Sequence, residues 1–548
     1  MVRRLRLVTC NAFILVALAC MPTHGHAASN AGEELIGGLA KFALDSGDPA
    51  AALRYTHNLP TEEGQLVRAR AMIATGSGDR ARGLLEQLVA GQYYRGQAAL
   101  LLADLATGRG EPEIAGNYLE TAAELSHGDV RQQALYRLAE IRREAGETDG
   151  AGQLLASMEP GYWSALGYMN IAAEYGKRDL NPSRALVALR VALAMTEEDS
   201  DSRRREELKS RLLVRAGHLA HKHEDYDKAI RFLEKVPLES YSTPQGLYLH
   251  GLALSANGNH RAAMQSWHRA RKYPLAYPGV ANAWLGTGRG YDLSGYLGQA
   301  GEAYLAANAS FESERVTLRK LADQIRNKGA YQALVRDARD SNAEWFLADS
   351  RTLTQPRTAY LLRFMEKPGA QEAVRRVAEL EEIDYQFAQR EVGLDVFRRA
   401  IRERLGSANA SPAHIAGFND EIEALTARVA ALKERAVSVP GQEALRGAAH
   451  TLADLKASLG KLEQRLAARD RHLNELLSRT DEALERVRRV RSRAARLQVE
   501  AEKTLDEMAL AFVEDQDERM TFALERSEQQ IAHLYEYLAL QNIERGDQ

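Results

Sequence analysis

Small residues return along this chain at a spacing close to 34. Ala229 is preceded twelve positions earlier by Gly217 and followed four later by Leu233. Thirty-four residues on, Ala263 has Gly251 and Trp267 at the same offsets, and Ala300 has Gly288 and Tyr304. Toward the N-terminus the frame holds at Ala185 (Ala173, Leu189), Ala151 (Ala139, Leu155), Ala115 (Ala103, Leu119) and Ala81 (Ala69, Leu85), and more weakly at Ala52 (Ala40). The anchors are separated by 29, 34, 36, 34, 44, 34 and 37 residues. A period of this length is that of a two-helix unit. One such unit cannot bury its own apolar face, so neighbours stack. Small side chains are needed where the paired helices cross, and large ones fill the gaps between them. Glycines predict the turns near Gly78-Asp79, Gly110-Glu111, Gly146-Glu147 and Gly258-Asn259, since glycine takes the left-handed cap conformation without penalty. The 44-residue interval contains the charged run Thr196–Glu207, read as a solvated loop or an extended helix end.

One unit carries nearly a full template. Trp284-x2-Thr287-Gly288-x2-Tyr291 is followed by Ala300, Tyr304 and Ala307. This pattern resembles the tetratricopeptide repeat (TPR). The resemblance covers about residues 35 to 310 and is least close in the first unit and at the Asn181-Pro182 turn of the fifth. It implies an all-α, TPR-like helical-hairpin superhelix of about eight repeats over 28–310. It also implies that certain first-helix positions line a concave groove that grips partner proteins. Carried over position by position, those are Glu140 and Arg143; Glu174, Lys177 and Arg178; His218, His221 and Lys222; Tyr248; and Arg289 and Asp292.

His218, His221 and His223 also raise the question of a metal site. His218 and His221 share a helical face, but no His-Glu-x-x-His pattern or matching carboxylate spacing follows. They are therefore read as groove or structural histidines, and no metal or cofactor is expected. No phosphate-binding glycine loop and no nucleophile elbow occurs. Thr287-Gly288-Arg289-Gly290 falls on an expected helix with no strand before it. No catalytic residue is nominated.

A helical extension or cap is expected over 311–405, and Gly406–Pro412 reads as a linker within 406–414. Beyond it apolar residues alternate by three and four: Ile415, Phe418, Ile422, Leu425, Val429 and Leu432, then Leu452, Leu455, Leu459, Leu462 and Leu466, and on through Leu473 to Ala511 with Arg469 interrupting. Sustained heptads with charged flanks predict a long coiled coil over 415–548. Helical breaks are expected near 437–441 and 514–518, with a shorter seam resuming at Leu524, Ile531, Leu534 and Leu538. The helices either fold back on one another or pair between copies of the chain. The basic run Arg486–Arg496 reads as the solvated face of this rod.

The first 27 residues set the compartment. Arg3, Arg4 and Arg6 precede the apolar Leu7–Ala19, and Gly25-His26-Ala27 offers small residues for cleavage. This is the three-part pattern of a secretory signal peptide. Both cysteines, Cys10 and Cys20, lie inside it, so the mature chain has no disulfide or thiolate chemistry. Ala17-Leu18-Ala19-Cys20 also resembles a lipobox, which would anchor the protein to a membrane through Cys20. Removing the three leader arginines lowers 72 basic residues to 69 against 75 acidic ones. That balance gives no basic field for nucleic acid. The expectation is a non-enzymatic periplasmic scaffold in a Gram-negative envelope assembly serving export, the wall or proton-channel-linked machinery. Its partners would be envelope proteins, with self-association through the coiled coil. The alternatives are an outer-membrane lipoprotein of a polysaccharide or protein export system, and a glycan- or peptidoglycan-binding protein.

Overall fold

The computed structural model describes residues 27–178, 182–336, 356–408, 410–435 and 439–546, and the described residues form helices and no strand. Residues 1–26, most of the stretch 1–27 read from the sequence as a signal peptide and including Cys20, lie outside them. Fourteen helices pair in sequence: α1 (Ala27–Asp45) with α2 (Pro49–Thr56), α3 (Glu62–Ala74) with α4 (Gly78–Val89), α5 (Arg95–Gly108) with α6 (Pro112–Leu125), and α7 (Gly128–Glu144) with α8 (Thr148–Ala156). The series continues with α9 (Tyr162–Arg178) and α10 (Ser183–Thr196), α11 (Ser202–Lys222) and α12 (Tyr226–Leu233), and α13 (Thr243–Ala256) and α14 (His260–Ala270), and is followed by α15 (Val280–Leu293), which packs on α13 and α14, and α16 (Leu297–Lys328). This is a TPR-like helical-hairpin array.

Each of the eight anchor alanines is at most 1% exposed, and the large residues four positions on, from Leu85 to Tyr304, are buried behind them. The twelve-residue offset fails once. Ala173 is exposed and its neighbour Ala172 is buried instead. The cause is the turn: four residues separate α9 from α10, whereas three separate the helices of every other pair.

In each three-residue turn the middle residue has positive φ. It is glycine in six of the seven, as at Gly258 (φ 80°), and glutamate at Glu224 (φ 62°). The turn assigned to Gly78-Asp79 is corrected by this rule. The left-handed residue is Gly76, and Gly78 begins α4. A non-glycine residue in the left-handed region costs about 1–2 kcal/mol. Part of that is offset because glycine has more freedom to lose on folding. Glu224→Gly is therefore expected to raise the stability of the array by about 0.5–1 kcal/mol, read as a higher midpoint in urea.

The charged run Thr196–Glu207 is not simply solvated. Asp201 caps α11 by accepting from the backbone N–H groups of Arg203 and Arg204 at 3.0 and 3.1 Å. Asp199 is only 4% exposed and takes the Arg204 guanidinium at 2.8 and 2.7 Å.

The chain divides into two compact units: Met1–Tyr273 with Pro278–Ala300, and Pro274–Tyr277 with Gly301–Gln548. The second unit takes most of α16, a π-helical turn (Tyr331–Arg336), α17 (Pro356–Met365), α18 (Ala370–Ala408), α19 (Ala410–Arg435) and α20 (Val439–Gly546). At 1.5 Å per residue the 108 residues of α20 span about 160 Å.

The coiled-coil helices fold back within the chain. α18 and α19 both pack antiparallel on α20, through Arg488 on Glu391 (2.9 Å), Arg491 on Asp384 (2.9 Å) and Lys456 on Glu423 (3.1 Å). Two arginines of the basic run thus make ion pairs between helices. The linker over 406–414 gives way to helix on both sides of position 409, which itself lies outside the described residues. The heptad explains this. Leu380, Phe387, Leu394, Ile401, position 408, Ile415, Ile422 and Val429 keep one seven-residue frame through it.

Of the break near 437–441, residues 436–438 lie outside the described residues, and 439–441 are already helical. The break at 514–518 is absent, because α20 runs through it unbroken. There the buried set changes period. Ala501, Phe512, Ala523 and Leu534 recur every eleven residues, as do Leu505, Gln516 and Ser527. Eleven residues in three turns nearly matches the straight helix. Gln516 therefore falls on the buried face, and Asp517 accepts from Arg315 at 3.3 Å. Leu497, which the heptad reading assigned to the seam, is exposed.

Candidate functional site

The odd-numbered helices of the array touch one another as well as their partners: α7 packs on α9, α9 on α11, α11 on α13 and α13 on α15. They form the inner row, and the sequence-nominated residues lie on it.

On α7 and α9 the charges satisfy each other. Arg143 donates to Glu140 at 2.9 Å and reaches Glu144 at 3.3 Å. Glu174 is 14% exposed and holds Arg178 at 2.7 Å and Lys177 at 3.9 Å. The hydrogen bond that Arg143 donates to Glu140 raises its pKa against the cost of burial, and the Glu140, Glu144 and Glu174 charges add to it. Asn170 donates to the Tyr136 hydroxyl at 3.3 Å. Burial, and the Glu140 charge after it, push that phenol up to about 12. Glu140, Arg143, Glu174, Lys177 and Arg178 are therefore one largely neutralised patch.

α11 differs. His218 and Lys222 are exposed, and His221 is half-buried with its ring 5.6 Å from that of Tyr226. Partial desolvation by the surrounding protein pulls both histidines below the usual imidazole range, although His218 keeps an exposed face, with Lys222 pushing His218 the same way and His218 pushing His221. One turn earlier stands Arg215, which the sequence reading missed. It makes no ion pair among the described residues. The surrounding protein draws its pKa below the usual guanidinium range, and neighbouring Arg211 adds to that. Arg215 lies three residues before His218, so helical spacing alone was enough to place it on the same face.

A second missed cation follows at the end of α14. Arg271 stacks 3.6 Å over the Trp284 ring, and its buried Nε has no hydrogen-bond partner. Arg289 is exposed and Asp292 half-buried on α15. Tyr248 is a packing residue: it is half-buried against the apolar clusters beneath α13, and its carbonyl accepts from Trp267 Nε1 at 3.1 Å. Among the described residues no three His, Cys, Asp or Glu side chains converge as a metal-ligand set. No helix among them is long and apolar enough to cross a membrane.

No family profile and no curated protein matches the chain. Solved structures similar to it include the following three. The APC/C hetero-tetramer Cut9-Hcn1 is 15% identical, with 47% of this chain and 46% of that one covered and a TM-score of 0.29. This chain thus spans less than half of that structure. The TPR domain of P58(IPK) is 16% identical, with 61% and 99% covered and a TM-score of 0.17. The C-terminal part of a TPR repeat-containing protein from Cytophaga hutchinsonii is 14% identical, with 53% and 95% covered and a TM-score of 0.27. The assignment of the fold rests on the chain's own turn spacing and buried anchors.

Proposed function

We propose that this protein is a non-enzymatic scaffold of the bacterial envelope whose inner groove takes an acidic segment of a partner protein. The observation that carries the reading is the cationic stretch of α11. Arg215, His218 and Lys222 lie within two turns on one inner-row helix, and Arg215 has no carboxylate partner among the described residues. Arg215 is exposed, so its guanidinium is open to an incoming carboxylate, which it would hold by a charge-assisted hydrogen bond. Export to the periplasm is supported by the leader pattern of residues 1–27. The antiparallel helices of the second unit are the assembling or spacing element.

The test is fluorescence anisotropy with the purified protein and a Glu/Asp-rich peptide, against a Lys-rich peptide of equal length. Preferential binding of the acidic peptide is expected. Arg215→Glu with Lys222→Glu should weaken it at least tenfold. Equal affinity for both peptides, or no change in the variant, would remove the groove reading.

pH provides a second readout. His218 and His221 titrate below 6.5 in the free protein, so at pH 7.5 they are neutral and Arg215 and Lys222 carry the attraction. Lowering the pH through the range below 6.5 adds positive charge, and a bound anion raises both imidazole pKa values. Affinity for the acidic peptide is expected to rise as the pH falls from 7.5 to 5.5.

The lipobox-like Ala17-Leu18-Ala19-Cys20 supports a second form of the same protein, tethered to a membrane. Incorporation of a lipid analogue in the wild type but not in Cys20→Ser decides between the two forms.

A further inference from the structure

The helical hairpin made by α19 and the facing part of α20 leaves half of its heptad seam open. In one seam position the residues close on each other: Ile415 is buried, and Ile422, Val429, Leu452, Leu459 and Leu466 are half-buried. The other seam position stays out. Phe418 is 55% exposed, Leu425 48%, Leu432 48%, Leu455 50% and Leu462 46%.

The polar bonds across the pair explain the geometry. Asn419 donates to Glu463 at 3.0 Å and Lys456 to Glu423 at 3.1 Å. Both bonds set the antiparallel register, with Phe418 level with Leu462 and Leu425 level with Leu455. Both also lie on one flank, which rolls the second seam position of each helix toward the opposite flank. In an antiparallel pair that flank is the same for both helices. The result is one continuous apolar stripe with a charged rim. A coiled-coil seam of this kind is normally covered by a partner helix.

We infer that this stripe is covered by the same stripe of a second copy, related by a two-fold axis through Leu425, giving an antiparallel four-helix bundle at the end of the hairpin. The self-complementarity is in the sequence. Seven residues separate Phe418 from Leu425 and Leu425 from Leu432. About an axis at Leu425, Phe418 meets Leu432 of the second copy, and Leu425 and Leu455 meet their own counterparts. The rim agrees. Glu421 and Arg428 are exposed, flank the stripe on either side of Leu425, and make no ion pair among the described residues. The same axis brings Glu421 of one copy to within one residue of the level of Arg428 of the other, twice, within reach of their side chains. An isologous interface requires this pairing of a surface with itself, and charges beside a coiled-coil seam are what select the partner and its direction.

The inference deepens the reading of the second unit as the assembling element and stands apart from the groove. The test is sedimentation velocity of the full chain over about 1–50 µM, with circular dichroism to confirm folding. Wild type is expected to be a dimer. Leu425→Glu, at a half-exposed site, should be a folded monomer. Glu421→Arg should weaken dimerisation about tenfold or more, as should Arg428→Glu, and the two together should restore it. Restoration separates self-docking from docking of a different helix, because only a copy carrying both changes re-forms the pair. A wild-type monomer at 50 µM overturns the inference, as does a dimer indifferent to Leu425→Glu or a charge swap without rescue. A monomer that still binds the acidic peptide would overturn the dimer and leave the groove reading standing.

Discussion

Trp267→Ala is expected to cost about 3–5 kcal/mol, the largest loss from any single substitution in the array. The indole is 1% exposed and sits in a slot built by leaving side chains out. A Cβ on Gly251 of α13 would lie 2.3 Å from its Nε1, and one on Gly286 of α15 would lie 2.8 Å from its Cδ2. Its N–H is satisfied by the Tyr248 carbonyl at 3.1 Å. Truncation removes the largest buried side chain of the unit and leaves a cavity with backbone on two sides. Helices held apart by their own glycine backbones collapse poorly into such a space, so both the transfer and the cavity contributions are lost. The reciprocal change acts on the same slot. Gly251→Ala forces the indole or α13 to shift, at about 1–3 kcal/mol.

The loss should be local. In a stack of hairpins each unit contacts mainly its neighbours, so hydrogen exchange in Trp267→Ala should lose protection in α13–α15 and keep it in α7–α9. Uniform loss along the array would mean that the units do not stack independently. A drop of under 1 kcal/mol in urea would mean that the slot closes.

The same glycines show why the array was legible from its sequence. Gly251 and Trp267 are separated by sixteen residues and recur as Gly217 and Leu233. The packing rule is therefore printed at fixed spacing. It misplaced Ala173 because four residues, not three, separate α9 from α10, and where each helix ends is not written in the spacing. The hairpin was less legible for a physical reason. Gly406–Pro412 has the composition of a linker, but Ile401 and Ile415 keep the heptad across it, and frame outweighs composition in a helix with a partner. Acidic 514–518 looked like an interruption because the heptad was extended too far, and the eleven-residue frame absorbs Gln516 without strain. In the groove, spacing placed residues on the inner row but could not show their pairing. Arg143 is neutralised by Glu140 and Glu144 of its own helix, which spacing permits but does not establish, and Tyr248 looks like a groove residue until Trp267 is seen beneath it.

Arg204→Met is expected to cost about 2 kcal/mol at pH 7.5, with a pH dependence that identifies the cause. Asp199 is 4% exposed, and Arg204 supplies two of its three donors, at 2.8 and 2.7 Å; the third is the Asp201 backbone N–H at 3.2 Å. The Arg204 hydrogen bond is the main reason that the Asp199 carboxyl lies below its usual range. Removing it leaves a buried carboxylate with one donor. Losing one partner of a fully buried pair costs about 3–5 kcal/mol. The guanidinium is about a third exposed, at 36%, and water screens that side, so the smaller figure applies. Arg204 also covers the Tyr162 ring at 4.4 Å, and methionine retains some of that contact.

In the wild type the folded pKa of Asp199 is depressed. Its stabilisation is therefore fully present above the unfolded value of about 3.9 and is lost as the pH falls through the lower folded value. In the variant the desolvated carboxyl titrates higher and protonates first, which relieves the uncompensated charge. The gap between the two proteins should narrow between pH 7.5 and pH 4. Unfolding in urea at those two pH values measures it, and Asp199→Asn combined with Arg204→Met should recover part of the loss at pH 7.5. An equal gap at both pH values would assign the cost to the Tyr162 contact instead of the buried charge.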